Sequence, residues 1–120
     1  MTLTNSPPSL GVGPLDQAGL AAHFEQMFSV DAVRKFKPAP EVYQMVADAL
    51  EVELADMCLV AAHAWDTLGA QAAGCAGVLV TLPGNAVLHV PGLPVPDIVA
   101  QNVPYMADKI IRQWGKYRND

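Results

Sequence analysis

Apolar and polar positions alternate along this chain in two rhythms. Continuous apolar runs at Met57–Ala62 and Gly77–Leu82 predict strands buried on both faces. Thr2–Thr4 and Met27–Val30 are shorter strand candidates, and Asp97-Ile98-Val99 reads as a short edge strand. The other rhythm is helical. Val42, Met45, Val46, Ala49 and Leu50 recur at i, i+3, i+4, i+7 and i+8, behind a Pro40 suited to a first helical position. Val103, Met106, Ile110, Ile111 and Trp114 share one face of a last helix opened by Pro104. Leu15–Gln26 predicts a further helix with Leu20, Phe24 and Met27 along one side, although Gly19 weakens it by about 1 kcal/mol relative to Ala. After the first apolar run a small-residue helix leads to Gly74, placed to cap it. Pro83–Pro96 is irregular. The order β-α-β-α-β-α-β-loop-β-α predicts a parallel sheet with helices on both faces, a three-layer α/β/α arrangement over residues 1–120 as one domain.

Composition narrows the partners. The 120 residues are 52% hydrophobic and 16% charged, which suits a small globular domain rather than a disordered chain. Net charge is −5 without a basic block, against nucleic acid or an anionic membrane surface as partner. No run approaches the ~20 apolar residues of a membrane helix, and the amino terminus lacks a signal-peptide pattern. Cys58, in a strand predicted buried, and Cys75, just after a helix, form no metal pattern. They read as reduced thiols of a cytoplasmic protein.

Three polar clusters fall at carboxyl ends of predicted strands or in the loops beyond: Thr4-Asn5, Lys37, and His63 to Asp66. In a parallel sheet these ends share one edge, where ligands bind. A hydroxyl, a lysine and an aspartate there suit an anionic ligand. Each has a plainer reading: Thr4 and Asn5 as turn formers, Lys37 as a solvated lysine, and Asp66 as a helix N-cap. His63 reads equally as a satisfied, partly buried histidine and Trp65 as packing. Singly the plain readings win; the joint arrangement favours a site.

The runs Leu3-Thr4-Asn5-Ser6, Ser29-Val30-Asp31-Ala32-Val33-Arg34-Lys35-Phe36-Lys37-Pro38-Ala39-Pro40-Glu41-Val42-Tyr43, and Val60-Ala61-Ala62-His63-Ala64-Trp65-Asp66-Thr67-Leu68-Gly69-Ala70 resemble the haloacid dehalogenase superfamily, and within it the type II 2-haloacid dehalogenases. The resemblance implies a Rossmann-like core and hydrolysis of a small 2-haloacid to a 2-hydroxy acid. It implies a catalytic set of Thr4, Lys37 and Asp66: a hydroxyl for carboxylate oxygens, a lysine balancing the nucleophile's charge, and an acid that orients the site and positions water. It places Asn5, His63 and Trp65 at the substrate, with His63 where well-known members carry Asn, which adds a group titrating near neutrality. Phosphatase relatives usually carry a metal-binding carboxylate four residues before the equivalent of Asp66, in a Gly-Asp pair. Ala61-Ala62 stands there instead, so the resemblance implies a metal-free site without cofactor.

The family's nucleophile is an aspartate in a D-x-(Y/D)-G-T context at the end of the first core strand, and that motif does not occur here. Asp16 and Asp31 are the early aspartates, and neither follows an apolar strand. The expectation is therefore an incomplete core, lacking that strand and the helical cap domain, and inactive alone. The family's strand order, 3-2-1-4-5, would then leave a gap between Thr2–Thr4 and Leu59–Ala62. Either these two strands pair directly to close it, or the chain is marginal and self-associates or pairs with a separate amino-terminal segment.

Overall fold

The computed structural model describes residues 1–8 and 13–115. Its strands are β1 (Thr2–Thr4), β2 (Met27–Ser29), β3 (Cys58–Ala61), β4 (Ala76–Val80) and β5 (Ile98–Ala100). Its helices are α1 (Gly13–Gln17), α2 (Pro40–Leu50), α3 (Ala64–Ala73) and α4 (Val103–Trp114). All pairings are parallel, and α2 and α3 pack on one another while α3 and α4 cover the sheet. The alternation predicted from the chain is present, with Pro at the start of α2 and α4.

Two helices end for visible reasons. Gly74 takes φ 114° after α3, so that Gly74 N–H donates to Gln71 and Cys75 N–H to Ala70. These paired bonds satisfy carbonyls the helix end leaves free. The same device corrects the helix expected over Leu15–Gln26. Gly19, at φ 71°, ends α1, with Gly19 N–H bonded to Asp16 O and Leu20 N–H to Leu15 O. Only a single 3₁₀ turn, Ala21–His23, follows, and Leu20 is exposed. A left-handed glycine reverses the chain there, and the apolar spacing beyond it cannot continue a helix.

The core is centred on β4, where Val78 and Leu79 are fully buried, with Val42, Tyr43, Val46 and Ala47 from α2 and Ala70 from α3. The α2 face is thus rotated from the predicted stripe: Tyr43 and Ala47 point inward, and Ala49 outward. On α4, Val103, Ile111 and Trp114 are exposed, and Met106 and Ile110 are partly covered.

β3 departs most from expectation. Predicted buried on both faces, it instead alternates between exposed and partly covered residues, and Cys58 and Val60 are exposed. The physical reason is the sheet's organisation. The strands form a two-stranded sheet, β1-β2, and a three-stranded sheet, β3-β4-β5. β1 and β3 are not hydrogen-bonded to each other, so direct closure of the predicted gap does not occur. A cleft of about 660 Å³ separates them, lined by Met1, Thr2 and Leu3 on one wall and Cys58, Leu59 and Val60 on the other. β5 is the outer edge strand, as predicted.

Candidate functional site

At the carboxyl end of this cleft lies an ion pair. Lys37 follows β2 in the loop that leads to α2, and Asp66 sits in the first turn of α3, after β3. Lys37 Nζ donates to Asp66 Oδ2 at 2.7 Å, with the side chains 10% and 9% exposed. Helix geometry places Asp66 inward. His63, not Asp66, is the N-cap residue of α3, and its side chain makes no capping bond. The N-cap alternative for Asp66 is therefore corrected. Its position in the first turn still sets the carboxylate near the positive end of the helix dipole.

Tyr43, from α2, closes the site from below. Its hydroxyl lies 3.4 Å from both Asp66 Oδ1 and Asp66 O, and the residue is 1% exposed. Burial first, and then the charge of Asp66, hold its phenol above the usual tyrosine range. Gly69 permits the close approach of these pieces. A Cβ there would collide with Pro38 Cβ and lie 2.7 Å from the Tyr43 hydroxyl.

Asn5 ties β1 to the same loop, its Oδ1 accepting from Lys37 N–H at 2.9 Å. Its Nδ2 donors take no part in that bond. Ser29 Oγ donates to Ser6 O at 2.7 Å, which joins the ends of β1 and β2. Thr4 stands apart: its hydroxyl accepts from Ser6 N–H at 3.1 Å, so its turn-forming reading is realised. No hydrogen bond joins Thr4 to Lys37 or Asp66 among the described residues. Above the pair, the His63 and Trp65 rings stack with centroids 6.1 Å apart, and Lys37 Nζ lies 5.9 Å from the Trp65 centroid. Both rings are exposed, so they form an open rim rather than core.

Of the residues read from the chain, Asn5, Lys37, His63, Trp65 and Asp66 thus form one connected group, with Thr4 at its margin. Tyr43 and Gly69 have no role legible in the sequence pattern, although both lie in the runs quoted above. The available signal was a hydroxyl-bearing aromatic beside the apolar stripe of a helix that begins just after Lys37. Chemically, the pair is neutral overall, but Lys37 has N–H donors beyond the one given to Asp66. It can therefore hold an anionic oxygen at the cleft mouth, while Asp66 can accept from a water or a substrate hydrogen. Among the described residues no cluster of three His, Cys, Asp or Glu is placed to hold a metal ion.

A family model described as haloacid dehalogenase-like hydrolase matches residues 1–74. The chain is 38% identical over 72 residues to (S)-2-haloacid dehalogenase 1 of Pseudomonas sp. (strain CBS-3), covering 60% of this chain and 32% of that protein. It is 34% identical over 79 residues to phosphoglycolate phosphatase of Neisseria meningitidis, covering 66% of this chain and 34% of that protein. A crystal structure of a dehalogenase with an intermediate complex superposes with a TM-score of 0.78 at 24% identity, covering 90% of this chain and 46% of that one. The chain spans about a third of the length of these curated relatives. On the family match, the chain belongs to the haloacid dehalogenase-like hydrolases.

Proposed function

We propose that the Lys37–Asp66 group is the supporting half of a hydrolytic dehalogenase site that takes a small 2-haloacid. The observation that carries this reading is the buried 2.7 Å ion pair at the mouth of the cleft. In the reaction, a carboxylate oxygen of a nucleophilic aspartate attacks C2 of the substrate as the carbon–halogen bond breaks and halide leaves with the bonding pair. Water then adds to the ester carbonyl, which gives the 2-hydroxy acid and restores the carboxylate. Lys37 balances the nucleophile's charge, Asp66 positions the water, and Asn5 and Thr4 hold carboxylate oxygens. Trp65 and His63 form the surface beside the halide.

The nucleophile is supplied by a segment separate from these residues. Asp66 is the aspartate that lines the cleft among the described residues, and it is engaged with Lys37. The chain is thus proposed as the carboxyl-terminal part of a dehalogenase core, not active alone. The reading is tested by halide release from 2-chloropropionate. The chain alone should match background, and adding an amino-terminal segment that carries the nucleophile should restore release, which Lys37→Ala then removes. Release by the chain alone, abolished by Asp16→Ala or Asp31→Ala, would overturn it.

A second reading, a phosphatase, is favoured by the similarity to phosphoglycolate phosphatase. Against it stand Ala61 and Ala62, whose methyl groups offer no oxygen to Mg²⁺. Mg²⁺-dependent phosphate release that needs Asp66 would decide for this alternative.

A further inference from the structure

A second cavity, of about 330 Å³, lies past the carboxyl ends of β1 and β2 and meets the Lys37 group at Asn5. One wall is Asn5 and Pro7, just past β1, and the other is the segment from Val30 to Phe36, just past β2. Ser29 Oγ donates to Ser6 O at 2.7 Å and ties the two walls together. The size is at the lower end of small-molecule pockets.

Its charges are not matched within the chain. Arg34, Lys35 and Lys37 crowd the loop before α2. Lys35 is held by Glu41 and Lys37 by Asp66, each at 2.7 Å. Among the described residues the Arg34 guanidinium has no ion-pair partner, and the residue is exposed. Its backbone is left-handed, at φ 53°, where glycine or asparagine sits with less strain. Neither the turn nor packing therefore accounts for an arginine at this position. Asp31 faces the same cavity. Its N–H donates to Ser29 Oγ at 3.2 Å, but its carboxylate pairs with no cation among the described residues. Phe36, 70% exposed, leaves a large ring in water beside these charges.

Each group narrows the ligand. A guanidinium takes a carboxylate through two parallel N–H donors. The Asn5 Oδ1 is engaged by Lys37 N–H, which leaves the Nδ2 donors for a further ligand oxygen. A plain anion would meet the Asp31 carboxylate as a like charge. A carboxylate whose neighbouring carbon bears a hydroxyl or an ammonium meets both charges at once, because that group donates to Asp31. Buried Val30 and Pro7 supply an apolar floor. An aryl body laid against Phe36 removes that ring from water.

We propose that this cavity is a binding site for a small aryl-bearing carboxylate with a hydrogen-bond donor on the adjacent carbon, a 2-hydroxy or 2-amino acid. Arg34 holds its carboxylate, Asp31 its donor and Phe36 its aryl body. The site is separate from the cleft between β1 and β3 and takes no part in the chemistry proposed above.

The test is isothermal titration of the full chain with phenyllactate, phenylalanine, 3-phenylpropionate and inorganic phosphate. Phenyllactate or phenylalanine should bind saturably, and the tighter of the two identifies the donor as hydroxyl or ammonium. 3-Phenylpropionate, which keeps the carboxylate and the ring but lacks the donor, should bind at least about tenfold more weakly. Arg34→Asn, which suits the left-handed backbone and removes the charge, should weaken the preferred ligand at least about tenfold. It should leave the melting temperature within about 4 °C, as an exposed substitution does. Asp31→Asn should shrink the preference over 3-phenylpropionate, because the repulsion that disfavours the plain acid is gone. Four results would overturn the inference: no saturable binding of either acid, equal binding of 3-phenylpropionate, equal binding of phosphate, or affinity unchanged in Arg34→Asn. Because no turnover is read, failure here is distinct from failure of the proposed chemistry.

Discussion

Lys37 and Asp66 are 29 positions apart and almost wholly removed from water, so each depends on the other. Breaking a buried pair by removing one partner costs about 3–5 kcal/mol, because it strands a charge. Lys37→Met and Asp66→Leu should each lower the denaturant midpoint strongly. The double variant should lose clearly less than the sum, as a double-mutant cycle reads directly. Additive losses would mean that the two charges do not hold one another. Tyr43 makes a separate prediction. Its folded phenol is raised above the ordinary value of about 10 by burial and then by Asp66. The folded state therefore holds that proton more tightly than the unfolded chain. The resulting stability is fully present below about pH 10 and is lost as pH climbs toward the raised value. Melting temperatures followed from pH 8 upward should fall, and Tyr43→Phe should remove part of that fall. The Cys58 and Cys75 thiols, both raised first by desolvation, contribute to the remainder. Identical alkaline slopes in the two proteins would refute the assignment.

At the scale of elements, the site depends on how closely the loop before α2 approaches α3. Gly69 sets that distance, since a methyl there meets Pro38 and the Tyr43 hydroxyl. Gly69→Ala should lower stability by about 1–3 kcal/mol, the usual cost of overpacking a filled contact. It should also cost any complemented activity more than Gly13→Ala, where a Cβ meets nothing within 4 Å among the described residues. Equal effects of the two substitutions in thermal melts would remove Gly69 from the account. The helix ends made comparable demands. Gly19 and Gly74 both adopt positive φ. From the chain alone Gly74 reads as the cap of a small-residue helix, whereas Gly19 reads only as a weakening of a longer one. A glycine inside an apolar spacing does not announce whether its φ will be positive.

For the whole molecule, the open cleft leaves the facing edges of β1 and β3 without strand partners. Each backbone group left without a partner when shielded from water costs about 1–3 kcal/mol, against a total of about 5–15 kcal/mol for an ordinary domain. The chain is expected to melt below about 65 °C, the upper end of the usual mesophile range. A cooperative melt well above that temperature would show that the cleft carries no such burden. The described residues contain no helix long and apolar enough to cross a membrane.

The sequence by itself determined the alternation of strands and helices, because side-chain period and proline and glycine placement are local properties that a single chain displays. It also determined which polar residues fall at one edge, because the carboxyl ends of parallel strands must share that side. Only the tertiary structure decided which polar residues meet. Thr4 and Asn5 are neighbours with the same turn-forming reading, yet Asn5 reaches the Lys37 backbone and Thr4 turns to Ser6. Only the tertiary structure placed Tyr43 beneath Asp66, since helix rotation depends on what packs opposite. It also decided that β1 and β3 stay apart. An apolar run signals a strand whether or not its edge finds a partner, because pairing joins residues that spacing along the chain does not relate.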